Sequence, residues 1–297
     1  MAKLELTGVY PPITTPFTEN GDVDFNAFDK NMAKWNETGL AGFVVFGSNG
    51  EYVYLTEQEK LALVKACVGA CAQGKKVIVG SGCESTRATI ELTNKCAQLG
   101  ADAALIITPH YYKGKMDRAA LREHFFTVAN NSEIPILVYN VPKFTGINLD
   151  SDFVAELATH PNIVGIKDSS GNVTQLAQLI SMTPDDFNVL VGTANVFFPG
   201  LMLGVRGGIQ ALATCCPNEC VEIYQLYKEG KYEEAKELQL RMIPVNNAIT
   251  ATFGIAGLKA AMDMLGYIGG FPRRPLLPLK EEDKTKLRGI LEKAKLL

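Results

Sequence analysis

The sequence predicts an α/β protein, a (β/α)8 TIM barrel with an appended C-terminal helical region, and three observations lead there. Eight short runs rich in Val, Ile and Phe recur along the chain. They lack polar alternation, which suits parallel strands covered on both faces better than half-exposed antiparallel ones. Helical patterns separate them, so strand and helix alternate with a repeat of about 20 to 35 residues, the span of βαβ units. The rival, a doubly wound sheet, lacks its phosphate signature: no G-x-G-x-x-G follows the first run and no G-x-x-x-x-G-K-[ST] occurs.

Each element has a local reason. Residues 8–13 form the first run, and residues 42–46 form the second, which leads into Gly47-Ser48-Asn49-Gly50-Glu51. Thr56 and Glu59 make a capping box ahead of Leu61, Leu63, Val64 and Cys67, and Gly74 stands where that helix should stop. The third run, 77–80, precedes a helix over 86–99 that closes at Gly100; the fourth, 103–107, precedes a polar loop and a helix over 117–129. After the fifth run, 136–139, Asp150 or Ser151 can cap the stretch through Leu157. Runs at 163–167, 189–191 and 208–212 complete the set.

Beyond Leu212 about 85 residues continue, with helical character at 219–228, 232–242 and 281–295, more than one closing barrel helix requires. The division expected is a barrel over 1–220 and a helical region over 221–297. No Gly/Ser-rich or Pro-rich linker separates them, so the second should pack on the first.

Composition narrows the function. At 297 residues the formal charge is −3, with 29 Lys+Arg against 32 Asp+Glu and no long run of one sign. Nothing draws the chain to nucleic acid or to an anionic membrane, and a small soluble partner is expected. The start, Met1-Ala2-Lys3-Leu4-Glu5-Leu6-Thr7, lacks a leader's apolar core, and no apolar stretch reaches a bilayer-spanning length, so the expected location is cytoplasmic. Seven cysteines, including Cys67, Cys71, Cys215, Cys216 and Cys220, form no C-x-x-C pair, and His110, His124 and His160 are scattered. No metal site is expected, and the thiols read as reduced and mostly buried.

The candidate for chemistry is Lys167, which ends the apolar run Asn162-Ile163-Val164-Gly165-Ile166-Lys167. Burying an unpaired ammonium is costly, and an amine held out of water tends to the neutral, nucleophilic form that attacks a ketone. The alternative is a strand-end lysine reaching water. Tyr139 ends the preceding strand, and active sites of this barrel class lie at the carboxyl ends of the strands. The two should be neighbours, since adjacent strands lie about 4.8 Å apart. A phenol can give and take the protons that imine formation and carbon–carbon cleavage require, although an ordinary core aromatic is the other reading. Gly47-Ser48-Asn49-Gly50-Glu51 lies on the same face. Its glycines admit close backbone approach and Ser48 and Asn49 add uncharged donors, as in an anion cradle; a plain βα turn has a similar composition.

Taken together, Gly47 to Glu51, Tyr139-Asn140-Val141-Pro142 and Gly165-Ile166-Lys167-Asp168-Ser169 resemble the dihydrodipicolinate synthase/N-acetylneuraminate lyase family of pyruvate-linked class I aldolases. The likeness starts at Gly8, includes Thr108-Pro109-His110-Tyr111-Tyr112 and continues through Gly207-Gly208. It implies that Lys167 forms an imine with pyruvate or the pyruvoyl end of a 2-oxo acid and that Tyr139 is the proton shuttle. It implies that Ser48 and Asn49 hold the pyruvoyl carboxylate, with Ser48 linking Tyr139 to Tyr111, a tyrosine that the family donates from a neighbouring subunit of a homotetramer built as a dimer of dimers. Ser169 and Gly192 match further substrate-facing positions, and Gly208 matches one on the eighth strand near the pyruvoyl group. No metal or organic cofactor is implied, since the protonated imine is the electron sink.

Departures bear on the substrate. The synthases carry an arginine in Y-N-V-P-x-R-T-G for a distal carboxylate, where this chain has Phe144, and losing such a charge-assisted contact disfavours that activity. The sialic acid lyases have a sugar-facing hydroxyl that is missing near Ala211. Within the family, Gly47 to Glu51, Ser81-Gly82-Cys83-Glu84-Ser85-Thr86, Asn162-Ile163-Val164-Gly165, Phe253-Gly254-Ile255-Ala256-Gly257-Leu258-Lys259 and Gly266-Tyr267-Ile268-Gly269-Gly270 are most similar to the 4-hydroxy-2-oxoglutarate aldolases, which also lack the arginine but have a polar residue at the place of Phe144. A 2-keto-3-deoxy sugar acid is the other substrate class left open. The rival outcomes are a dehydratase using the same imine and a barrel that binds a metabolite without turnover.

Overall fold

The computed structural model describes residues 4–297; Met1, Ala2 and Lys3, part of the segment read for a leader, lie outside the described residues. Eight strands are described: β1 (Gly8–Tyr10), β2 (Gly42–Val45), β3 (Lys76–Val79), β4 (Ala103–Ile107), β5 (Ile136–Asn140), β6 (Ile163–Asp168), β7 (Asn188–Val191) and β8 (Gly207–Ile209). They pair in parallel in chain order from β2 to β8, and β8 pairs with β1. The last seam closes through a parallel bridge between Pro12 and Val44, where the Val44 N–H donates to the Pro11 carbonyl and the Ile13 N–H to that of Val44. The expected TIM barrel is therefore the fold.

Helices α1 (Phe25–Asn36), α2 (Glu57–Ala70), α3 (Thr86–Gln98), α4 (Arg118–Asn131), the single turn α5 (Pro142–Thr145), α6 (Ser151–Leu157), α7 (Val173–Met182) and α8 (Phe197–Leu203) lie in the connections. After β8 come α9 (Leu212–Cys215), α10 (Pro217–Lys228), α11 (Tyr232–Asn247), α12 (Gly254–Met264) and α13 (Glu281–Lys293). Strand side chains alternate between two apolar layers. Tyr10, Ile78, Leu105, Leu137 and Ile209 fill the barrel interior. Phe43, Val79, Ile106, Val138 and Val189 face the helices, and Met242, Leu258 and Leu287 of the C-terminal helices join that same layer. Helix α10 runs unbroken across positions 220 and 221 and packs beside β1.

Local chemistry sets most boundaries. The Thr56–Glu59 capping box forms, and Asp150, not Ser151, caps α6 by accepting from the Phe153 N–H. Helix α2 ends at Ala70, ahead of Gly74, because Asn36 intercepts the chain: its amide donates to the Ala70 carbonyl and its oxygen accepts from the Ala72 N–H. The eighth strand stops at Ile209, since Ala211 already has helical backbone and Leu212 opens α9. Helix α12 was not anticipated. Six consecutive residues, Gly257 to Met262, are buried, so it has no amphipathic stripe to read.

Candidate active site

A cavity of about 550 Å³ is lined by residues at or just beyond the carboxyl ends of β2, β5, β6 and β7, among them Ser48, Asn49, Tyr139, Lys167, Ser169 and Gly192. Tyr139 and Lys167 are cross-strand partners on β5 and β6. They are 5% and 3% exposed, and the Lys167 Nζ stands 4.1 Å over the centroid of the Tyr139 ring. No carboxylate forms an ion pair with Lys167 among the described residues. An aromatic face offers the amine modest electrostatic compensation, far less than a counter-ion would.

The next residue on each strand points the other way and locks the pair in register. Asn140 and Asp168 are also cross-strand partners. The Asn140 Nδ2 donates to Asp168 Oδ1 at 2.7 Å, the Ser170 hydroxyl to Oδ2 at 2.5 Å, and the Gln175 Nε2 to Oδ1 at 3.2 Å. Burial pushes the Asp168 carboxyl above its usual range, and these three donors oppose that. The outward network thus holds the ends of β5 and β6, and with them Tyr139 and Lys167, at matching heights.

The cradle forms a 3-10 turn over Ser48–Gly50. The Ser48 Oγ lies 3.5 Å from the Tyr139 hydroxyl, and the Thr15 hydroxyl donates to the Gly50 carbonyl at 2.8 Å. On the far side the Gly192 N–H donates to the Asp168 carbonyl at 2.6 Å. A Cβ at Gly192 would lie 1.8 Å from the Ser169 Oγ, so only glycine permits that approach.

Phe144 lines the cavity and is 56% exposed. Beside it the Lys143 Nζ donates to the Thr250 carbonyl at 3.0 Å. The lining includes two amines, Lys143 and Lys167, and no carboxylate, an environment suited to an anion. Tyr111 does not line the cavity. Its ring is 77% exposed and stacks edge-on with Tyr112 at 5.0 Å, while its N–H donates to Glu84 Oε2 at 2.8 Å. Gly208 does not line it either: β8 turns Ile209 into the barrel and Gly208 outward, where the Gln210 Nε2 lies 2.1 Å from the place of a Cβ.

The distal wall escaped the sequence reading. It is built from Asn195 after β7, Asn246 and Asn247 at the end of α11, and the π-helical turn Ala248–Thr252. The Asn246 Nδ2 donates to Asn195 Oδ1 at 2.9 Å and the Asn195 Nδ2 to Asn247 Oδ1 at 2.7 Å. The available signal was the paired asparagines shortly after Pro244, a residue that cannot supply a helical N–H. Among the described residues no three His, Cys, Asp or Glu side chains converge as metal ligands.

The chain is matched over residues 5–294 by the model of the dihydrodipicolinate synthetase family. It is 39% identical over 287 residues to a 4-hydroxy-tetrahydrodipicolinate synthase of Methanothrix thermoacetophila, covering 96% of each chain. It is 36% identical over 286 residues to a protein named probable mitochondrial 4-hydroxy-2-oxoglutarate aldolase in Emericella nidulans, covering 95% of this chain and 92% of that one. In fold it is similar, with a TM-score of 0.93 and 28% identity over 98% of its length and 99% of the other's, to a prophage protein of the dihydrodipicolinic acid synthase family from E. coli K12 solved in complex with pyruvate. With sequence and fold both matched almost end to end, the chain belongs to the dihydrodipicolinate synthetase family and is an enzyme of the aldolase-type carbon–carbon lyases.

Proposed function

We propose that the cavity carries out Schiff-base cleavage of a 4-hydroxy-2-oxo acid, with 4-hydroxy-2-oxoglutarate going to pyruvate and glyoxylate. The observation that carries this reading is the buried Lys167 amine, 4.1 Å over the ring of Tyr139 and without a counter-ion among the described residues. The amine adds to the C2 carbonyl, Tyr139 gives its proton to the departing hydroxyl and water leaves, so a protonated imine and a phenolate remain. Tyr139 takes the proton of the 4-hydroxyl as the C3–C4 bond breaks, the electron pair passes into the imine to form an enamine, and the aldehyde departs. Protonation at C3 and hydrolysis release pyruvate and restore the amine.

Ser48 and Asn49 hold the pyruvoyl carboxylate, Ser169 and Gly192 bound the same end, and Phe144 faces the distal group. Tyr111 acts across a subunit boundary in a homotetramer arranged as a dimer of dimers, a role its exposure suits and the family resemblance suggests. No helix among the described residues is long and apolar enough to cross a membrane, and we place the reaction in the cytoplasm. Residues 221–297 form the helical region packed on the barrel of 1–220.

A second reading, formation of 4-hydroxy-tetrahydrodipicolinate, has the name of the Methanothrix relative in its favour. Phe144 in place of a guanidinium weighs against it. A screen of 2-oxo acids with coupled pyruvate detection tests the assignment. Pyruvate and glyoxylate in equal amounts from 4-hydroxy-2-oxoglutarate support the first reading, whereas an unsaturated 2-oxo acid would show a dehydratase and no turnover of any 4-hydroxy-2-oxo acid would overturn it.

A further inference from the structure

We propose that the buried pair of Glu51 and Lys259 positions the carboxylate cradle, so that the C-terminal helix α12 sets the orientation of Ser48 and Asn49. The inference rests on reading that turn as the holder of the pyruvoyl carboxylate. The Lys259 Nζ and the Glu51 Oε1 meet at 2.6 Å with side chains only 2% and 1% exposed. The ammonium's other bonds go to the carbonyls of Thr15 at 2.8 Å and Phe271 at 2.6 Å, and it stands 4.7 Å over the Phe17 ring centroid. The second carboxylate oxygen accepts the Arg273 N–H at 2.8 Å. Burial weakens the hold of Lys259 on its proton, and the Glu51 carboxylate opposes that.

Such a pair is a poor device for stability alone, because desolvation offsets much of the attraction and an apolar replacement often serves as well. Its surroundings indicate what else it does. Glu51 has φ 56 and ψ 36, the left-handed region that residues with a Cβ seldom occupy and that recurs where backbone geometry serves a site. Its N–H closes the turn onto the Ser48 carbonyl at 3.2 Å. Thr15, whose carbonyl Lys259 holds, donates its hydroxyl to the Gly50 carbonyl. Lys259 therefore grips the cradle from both flanks, through charge at Glu51 and through the backbone at Thr15. The same helix reaches the cavity at its start, where Gly254 and Ile255 line it. One rigid element thus joins the distal wall to the rear of the cradle, and Glu51 and Lys259 are positioning residues.

The test is the pyruvate dependence of borohydride trapping at Lys167 in the full-length protein, measured for wild type, E51Q, K259M and E51Q/K259M alongside melting temperature. Half-saturating pyruvate should rise at least about tenfold in K259M, as expected for a misplaced contact, while the trapping rate at saturating pyruvate stays within about threefold. E51Q is the mildest change and E51Q/K259M leaves no unpaired buried charge. The double variant should recover melting temperature yet keep the raised half-saturation, since the tether is still lost. Wild-type half-saturation in any folded variant overturns the proposal and leaves the pair a structural one. Absence of trapping in the wild type would instead refute the Schiff-base reading, so the two failures are told apart.

Discussion

At the level of single residues the jobs within the site are separable. Tyr139→Phe keeps the ring over which Lys167 sits but removes the hydroxyl, so the pyruvate adduct should still accumulate, more slowly, while cleavage falls by about 10² to 10⁴, the usual contribution of a positioned acid–base group. Cleavage at the wild-type rate would leave the phenol a packing role only. Phe144→Arg brings a guanidinium to the half-open rim beside Lys143. A charge-assisted contact of about 1.5 to 3 kcal/mol should shift preference toward 2-oxo acids with a distal carboxylate by about 10- to 100-fold. An unchanged preference would show that selectivity is set elsewhere, with the asparagine wall as the next place to look. Lys167 and Tyr139 were legible in the sequence because a strand end fixes both where a side chain lies and which way it points. Asn195, Asn246 and Asn247 were not, because they meet only through tertiary packing of α11 against the loop after β7.

At the scale of elements, caps and carboxylates decide acid stability. Arg273 bonding, followed by the bonds from Thr56, holds the Glu59 carboxyl down at about 2 against its own partial burial. Its folded value lies below its unfolded one, so the stabilisation is fully present above about pH 4.5 and is lost as pH falls toward about 2. Glu59→Gln should flatten the fall of melting temperature across that window, and an unaltered acid profile would contradict the assignment. Removing the other half of the capping box, Thr56→Ala, should cost about 0.5 to 2 kcal/mol in denaturant unfolding. That helix start was written in the residues themselves. Its end was not, since it depends on Asn36, a residue far along the chain that captures Ala70 and Ala72.

At the scale of the whole molecule, alternating apolar runs and helices revealed the closed barrel because both faces of each strand are covered. The strand order follows from chain order alone. The tail was harder to read: α12 is buried on most sides, and the π-helical turn before it has no sequence signature. The facing of Gly208 is not written in the sequence for a related reason, because the end of β8 depends on where α9 begins. Assembly has its own test. If Tyr111 serves a neighbouring subunit, refolding Lys167→Ala together with Tyr111→Phe should restore part of the activity that each lacks alone, and a mixture no better than its components would place Tyr111 outside the reaction.

The most direct measurement of the central claim is peptide mapping after incubation with pyruvate and borohydride. A reduced pyruvate adduct on the peptide containing Lys167, absent from Lys167→Met, is the predicted result. An unmodified Lys167 peptide in protein that still turns over its substrate would contradict the imine mechanism outright.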